Sequence, residues 1–466
     1  MSERLTSSIQ KHGTPGNHEV EGDEHEPVKV ARLSHKRQLL LNILWFPLNT
    51  EISALLPIVL PTQILLFFPS NQVGSAEQAT VLSWLVMAAS LISLLMPPLI
   101  GTFSDRTSGG LGRRRPYLIA GGLLVIASTP LLVNGSTLAY FLAGLALLHI
   151  GMNIINPAYQ SLVPDQVPEE QRGTASGYVG GLSILGSVAS LGLAAYLLGG
   201  VNQQGFNASL VRQNAGIYYM VTATLMTIGI LITVLSVREI PYRRTSPMKR
   251  ETTLLGLCWR LVHHWIEPWG KYNFTVVFLT RTAIMLGITL FMTYVEYYFA
   301  RVQNVGNFVA TTALIAVLAL GGGVVSGILS GVLSDRMKRR APVVCIATLF
   351  MAATACIFVV ASGNLGIWLW PIGILFGLGY GAFSSVDWAL TIDALPSLKE
   401  AGKHLGLWNA STTIPAIMAP LLGSAMINIA GGQGNLQFGY RLIFVCATFF
   451  LVVAAVGILF VRERRK

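Results

Sequence analysis

Gly101-Thr-Phe-Ser-Asp105-Arg106 and Gly331-Val-Leu-Ser-Asp335-Arg336 are two copies of one pattern, set about 230 residues apart. The first follows an apolar run at 78–102 and leads into Arg113, Arg114 and Arg115. The second follows a run at 308–332 and leads into Lys338, Arg339 and Arg340. A fainter pair lies further along, where Asp165-Gln-Val-Pro168 matches Asp393-Ala-Leu-Pro396. Both pairs meet their apolar runs at the same point and in the same direction, so the second half of the chain repeats the first in parallel.

The composition says what the runs are. Of 466 residues, 53% are hydrophobic and only 11% charged, against roughly 25% charged in a soluble domain. A soluble enzyme of this length would lack the charge to cover its surfaces. A bilayer-spanning helix needs about 20 apolar residues, and twelve such runs are readable: 38–68, 78–102, 116–134, 138–163, 174–199, 215–237, 274–300, 308–332, 341–361, 366–394, 404–430 and 439–461. They are called spans 1 to 12. The expectation is an all-α membrane protein divided into a polar tail at 1–37, a six-helix bundle at 38–237, a linker at 238–273, a second bundle at 274–461 and a short tail at 462–466. Within the linker, Leu254 to Trp269 reads as an amphipathic helix on the membrane surface. With both termini cytoplasmic, all but four of the 32 Lys and Arg residues fall on the cytoplasmic side. The exceptions are Arg212, Arg301, Arg441 and the intramembrane Arg281. This bias sets orientation in a cell membrane, and it accounts for the net charge of +11 without nucleic acid.

Twice-repeated Gly-x-x-x-Asp-Arg with trailing arginines resembles the loop motif of the major facilitator superfamily. The longer first copy, Ser104-Asp105-Arg106-Thr-Ser-Gly-Gly-Leu-Gly112-Arg113-Arg114-Arg115-Pro116, is similar to the sucrose-transporter and glycoside–pentoside–hexuronide branch. The resemblance implies two parallel six-helix repeats that rock about a binding site near the midplane. It also implies that Asp105, Arg106, Arg113, Arg114, Arg115, Asp335 and Arg336 latch the halves on the cytoplasmic side. Gly101 is expected to permit close helix approach, and Gly331 is expected to belong to the gate with Asp335 and Arg336. The alternative for the arginine triplet is a topological anchor.

Ionisable residues inside spans are costly and mark function by default. Here they are Glu51, His149, Arg281, Glu296 and Asp387. At ~1.5 Å per residue, Glu51 lies ~20 Å into span 1 and His149 ~16 Å into span 4, near the middle of a ~30 Å core. Pro47 and Pro57 are placed to re-aim Glu51. The alternative is a carboxyl buried in helix packing. Span 4 carries His149, Asn153, Asn156 and Gln160 on one helical face. Span 10 carries Tyr380, Ser384, Asp387 and Thr391, with Trp388 and, in span 11, Trp408 close by. Two stripes on the two halves suggest a shared wet cavity, with Asn49 of span 1 added, rather than polar glue between helices. Arg281 and Asp387 lie at similar depths, ~10 Å and ~9 Å, and are expected to pair. Glu296, among Tyr294, Tyr297 and Tyr298, reads as an interfacial belt residue.

The expected function is secondary transport of a small polar solute, a sugar or glycoside, with proton coupling through Glu51, Arg281 and Asp387, in a monomer without cofactor or metal. Cys258, Cys345, Cys356 and Cys446 lack ligand spacing. No phosphate-binding Gly-x-x-x-x-Gly-Lys-Ser/Thr occurs, so the energy must come from gradients. Spans 2 and 4 lack the acidic residues of sodium–sugar members of the branch, and the plant-type arginine of span 4 is absent. Efflux of amphipathic compounds and a non-transporting receptor remain open. An intramembrane enzyme would need a nucleophile–base or metal constellation, and none is readable.

Overall fold

The computed structural model describes residues 32–68, 72–107, 110–134, 137–162, 166–168, 171–201, 207–237, 267–337, 339–361, 365–394, 401–432 and 434–462. Most of the N-terminal tail and linker, Asp165 and Cys258 lie outside the described residues. So do the side chains of Asp105, Arg106, Asp335, Trp388 and Asp393. Every described element is helical. Among the described residues, twelve helices are long and apolar enough to cross a membrane, from His35–Phe67 to Leu436–Phe460.

Helix starts follow local chemistry. Ser75 and Gln78 form a capping box that opens span 2 at Ala76, satisfying two otherwise orphaned donors. The Asn207 side chain accepts from the Ser209 and Leu210 amides. Span 6 therefore begins at Ala208, earlier than hydropathy alone indicates.

Span 1 departs most from a simple rod. It runs as helical pieces at His35–Asn42 and Trp45–Ile52, a π-helical turn at Leu55–Val59 and a short helix at Leu60–Ile64. Pro57 and Pro61 have no amide hydrogen. At the break both Ile58 and Val59 donate to the Ala54 carbonyl, each at 3.0 Å. The backbone groups released are served by other helices, as burial in lipid demands. The Tyr159 hydroxyl donates to Leu41 O at 2.8 Å and accepts from Leu44 N at 3.1 Å. Tyr218 donates to Thr50 O at 3.2 Å, and Ser190 Oγ accepts from Ala54 N at 3.0 Å.

The repeat shows in the packing. A Cβ built on Gly151 of span 4 would lie 2.7 Å from the Gly121 carbonyl of span 3. One built on Gly379 of span 10 would lie 2.6 Å from the Ala347 carbonyl of span 9. The two glycines are repeat-equivalent, and each lets its helix pair close. Spans 8 and 10 approach through Gly377 and Gly381, where a Cβ would enter the facing backbone at Ala319 and Gly323. Gly101 differs from expectation: a Cβ there meets nothing within 4 Å, so close approach is not its reason. Gly331 does face a neighbour, Ser385 Oγ at 3.1 Å. Large apolar side chains such as Leu95, Leu123, Tyr196, Leu235 and Ile328 cover the outside.

The hydrogen bonds joining the first six spans to the last six cluster at one end among the described residues. Thr62 donates to Glu296 Oε1 at 3.1 Å and Tyr297 to Pro61 O at 3.1 Å. Ser83 meets Tyr294 at 2.8 Å, Asn428 donates to Thr80 at 2.8 Å and Tyr440 to Gly74 O at 2.9 Å. Arg301 reaches Gln72. Ser90 to Ala416 O, at 3.2 Å, lies nearest the middle. All sit toward the face opposite the start of span 1 and the end of span 12, called here the far face.

Candidate functional site

Glu51 is the penultimate residue of the second helical piece of span 1, which ends at Ile52. Its side chain is 1% exposed, and Oε2 has no hydrogen-bond partner. It lines a cavity of about 190 Å³ together with Ile52, Leu55, Ser93, Leu148, His149, Met152, Asn153 and Asn156. Such a volume holds several waters, each needing about 10–15 Å³ by this measure. The structure thus brings Glu51 and three of the four span 4 stripe residues around one space. Its carboxyl is packed beside Thr222 of span 6, with Oε2 buried, so Glu51 borders the space without opening its free oxygen into it.

The stripe is internally bonded. The Nδ1 of His149 lies 3.0 Å from the Leu145 carbonyl, which makes Nδ1 the donor and leaves Nε2 of a neutral ring as an acceptor. The Asn153 amide donates to His149 O at 2.8 Å and to Ser93 Oγ at 3.0 Å, tying span 4 to span 2. Gln160 is exposed and donates to Asn156 Oδ1 at 2.9 Å. Asn49 does not line this cavity. Its amide donates to Trp45 O at 2.8 Å, and its Cβ stands against Gly186 of span 5.

A second cluster sits between spans 7, 10 and 11. Arg281 Nε lies 3.0 Å from Asp387 Oδ2, an ion pair without the alignment of a directed hydrogen bond. Arg281 Nη1 donates to Ser411 Oγ at 3.2 Å and to Trp408 O at 3.5 Å. The guanidinium carbon stands 4.9 Å from the Trp408 ring centroid, within cation–π range. Trp408 is 1% exposed and packs on Phe274 and Phe278. It is therefore a buried platform for Arg281. Tyr380 and Ser384 are exposed, and Tyr380 stacks on Phe376 at 6.5 Å.

Two further expectations change. Arg114 is 4% exposed and donates to Ser104 Oγ, so it ties the end of span 2 to the start of span 3 instead of anchoring at the surface. Glu296 is 1% exposed and bonded to Thr62 of the other half. Its tyrosine neighbours point inward and donate to carbonyls, so it is not a belt residue. Ser93, Ser411 and Thr62 were not singled out from sequence. Ser411 follows Trp408 by one helical turn, the signal that could have found it.

Comparison with known proteins places this geometry. The sequence profile of the Major Facilitator Superfamily matches residues 52–420. The general alpha-glucoside permease of Schizosaccharomyces pombe is 25% identical over 199 residues, 39% of this chain and 34% of the permease. The proton-associated sugar transporter A of Homo sapiens is 28% identical over 194 residues, 38% of this chain and 25% of that protein. These alignments span a quarter to a third of the curated relatives' length. The crystal structure of a D-xylose-proton symporter superposes with a TM-score of 0.65 at 14% identity, covering 91% of this chain and 97% of the other, a likeness of fold.

Proposed function

The chain belongs to the Major Facilitator Superfamily, and from that premise we propose that it is a secondary active transporter moving a sugar or glycoside by alternating access with proton coupling. Within the superfamily we place it in the sucrose-transporter and glycoside–pentoside–hexuronide branch, on the spacing from Asp105 to Arg115. The similarity to an alpha-glucoside permease and a proton-associated sugar transporter supports the solute class. Residues 38–237 and 274–461 act as the two moving bundles of a monomer in the cell membrane. Both termini are cytoplasmic, so the far face is the outer one. On this reading the structure is closed outside.

One observation carries the mechanism: Glu51, with an unpartnered carboxylate oxygen, borders the same cavity as His149, Asn153, Asn156 and Ser93. Arg281 and Asp387 neutralise each other in the other half. Glu51 has no such cation among the described residues, and an isolated charge in a closed cavity is costly. Closing around solute is therefore favoured when Glu51 carries a proton. The amides of Asn153 and Asn156 and the Nε2 of His149 offer the donors and acceptors that solute hydroxyls need. Ile52, Leu55, Leu148 and Met152 complete the lining, a mixed surface that matches the hydroxyls and the apolar ring faces of a sugar.

Purified protein in liposomes tests this. Glu51→Gln keeps the size and hydrogen bonding of the side chain but cannot ionise. It should lose solute accumulation driven by a pH gradient and keep solute exchange. Normal pH-driven accumulation would reject Glu51 as the coupling site and turn attention to Asp387. Loss of both activities would assign Glu51 to binding or folding.

A further inference from the structure

Glu296 is the second buried carboxyl without a cation, and the coupling scheme does not use it. It lines neither the cavity at Glu51 nor the apolar one beside Phe291 and Val295. It sits instead in the seam between the halves at the far face. Oε1 accepts from Thr62 across the seam at 3.1 Å, while Oε2 is buried and unpartnered.

The surrounding donors are committed elsewhere. Tyr294 donates to Pro420 O at 2.6 Å, Tyr297 to Pro61 O at 3.1 Å, Tyr440 to Gly74 O at 2.9 Å and Tyr219 to Gln63 Oε1 at 2.6 Å. Arg301, more than one turn further along span 7, is engaged with Gln72. Glu77 stands at the first turn of span 2. Arg441, at the start of span 12, faces Tyr298 and donates to the Ala361 carbonyl at 3.0 Å, and the stretches of spans 1, 8 and 11 packed here, 58–67, 308–320 and 411–432, contain no ionisable side chain. The closed seam thus offers Glu296 one hydroxyl donor and no cation, which fits a carboxylic acid and penalises a carboxylate.

We propose that Glu296 is a second proton-binding site, a gate carboxyl that must be protonated for the far-face seam to close. It rests on the alternating-access reading for the existence of an open far face, but not on Glu51. When the halves part, water reaches the group and it ionises. When they meet, it takes a proton from the far side. Glu296 lines neither the cavity at Glu51 nor the one beside Phe291, and in this scheme the proton returns to the side it came from on reopening. Glu296 therefore sets how the gate responds to pH without adding to the protons carried per solute.

The linkage has a definite sign. The closed state binds one proton more, so it is favoured in acid and lost as pH rises, by about tenfold in the open-to-closed ratio per pH unit once the open state is ionised. Exposed far-face positions in the two halves, Leu210 and Ile367, can carry spin labels as Leu210→Cys and Ile367→Cys, with the native cysteines replaced by serine. Distances are measured by double electron resonance in nanodiscs without solute, in a Glu51→Gln background that removes the other buried carboxyl without a cation. The long-distance population should grow with pH. Adding Glu296→Gln, which mimics the acid, should hold the seam closed at every pH. Adding Glu296→Asp, which still titrates, should restore the dependence. A pH response that persists in Glu296→Gln, or is absent before that substitution, overturns the proposal. If Glu51→Gln still accumulates solute while Glu296→Gln flattens the gate response, the coupling reading fails and the gate stands.

Discussion

Arg281 and Asp387 neutralise one another across spans 7 and 10, 3.0 Å apart, with the indole of Trp408 beneath the guanidinium. Removing one member of such a pair leaves the other uncompensated, at a typical cost of about 3–5 kcal/mol, whereas removing both can be nearly neutral. Arg281→Gln should therefore lower the melting temperature of the purified protein more than the double variant Arg281→Gln/Asp387→Asn does. Melting of both single variants and the double closes the cycle. Additive losses would show that the two residues are not coupled.

Close packing of spans 8 and 10 makes a second expectation. Gly381→Leu would drive its side chain into the backbone at Gly323. Overpacking of this kind costs about 1–3 kcal/mol or more, so the folded yield by size-exclusion chromatography should collapse. Gly321, on the same helix as Gly323, has nothing within 4 Å of a Cβ. Gly321→Leu should give normal yield. Equal losses at both positions would mean that helix propensity, and not contact, is responsible.

The twelve helices were legible because lipid makes a severe demand on length and composition, and a run such as 341–361 satisfies it without reference to the rest of the chain. The span 4 stripe was legible for a similar reason: His149, Asn153 and Asn156 share a face by helical period alone. What sequence does not supply is a partner. Ser93 and Thr62 look like any membrane-helix hydroxyl until packing sets them beside Asn153 and Glu296. Pro57 announces a disturbance in span 1, but the backbone groups left open near it, Thr50 O and Ala54 N, are answered by Tyr218 and Ser190, more than a hundred residues away. Glu296 was misread because tyrosines near a helix end usually face headgroups, and here they turn inward against spans 1, 2 and 12.

Orientation can be read directly. Thr245→Cys, in the basic linker, should react with an impermeant maleimide only after cells are permeabilised. Ile367→Cys, exposed at the start of span 10, should react in intact cells. The reverse pattern would invert the assignment of the far face.

The split between solute recognition and coupling makes the last expectation. His149 Nε2 and the Asn153 amide face the cavity as neutral hydrogen-bonding groups, and a neutral hydrogen bond contributes about 0.5–1.5 kcal/mol. At 1.4 kcal/mol per tenfold, losing one should raise the half-saturating solute concentration by about 2- to 10-fold. His149→Leu and Asn153→Ala should each do so in initial-rate uptake. Neither removes Glu51, so the ratio of accumulated to external solute under a fixed pH gradient, measured at saturating solute, should stay near that of the unaltered protein. For Asn153→Ala the Ser93 bond between spans 2 and 4 is lost as well, so Ser93→Ala serves as its control. A rise in half-saturation with Asn153→Ala but not Ser93→Ala assigns the effect to solute. If His149→Leu instead abolishes pH-driven accumulation while solute still exchanges, the imidazole belongs to the proton site and not to the sugar site.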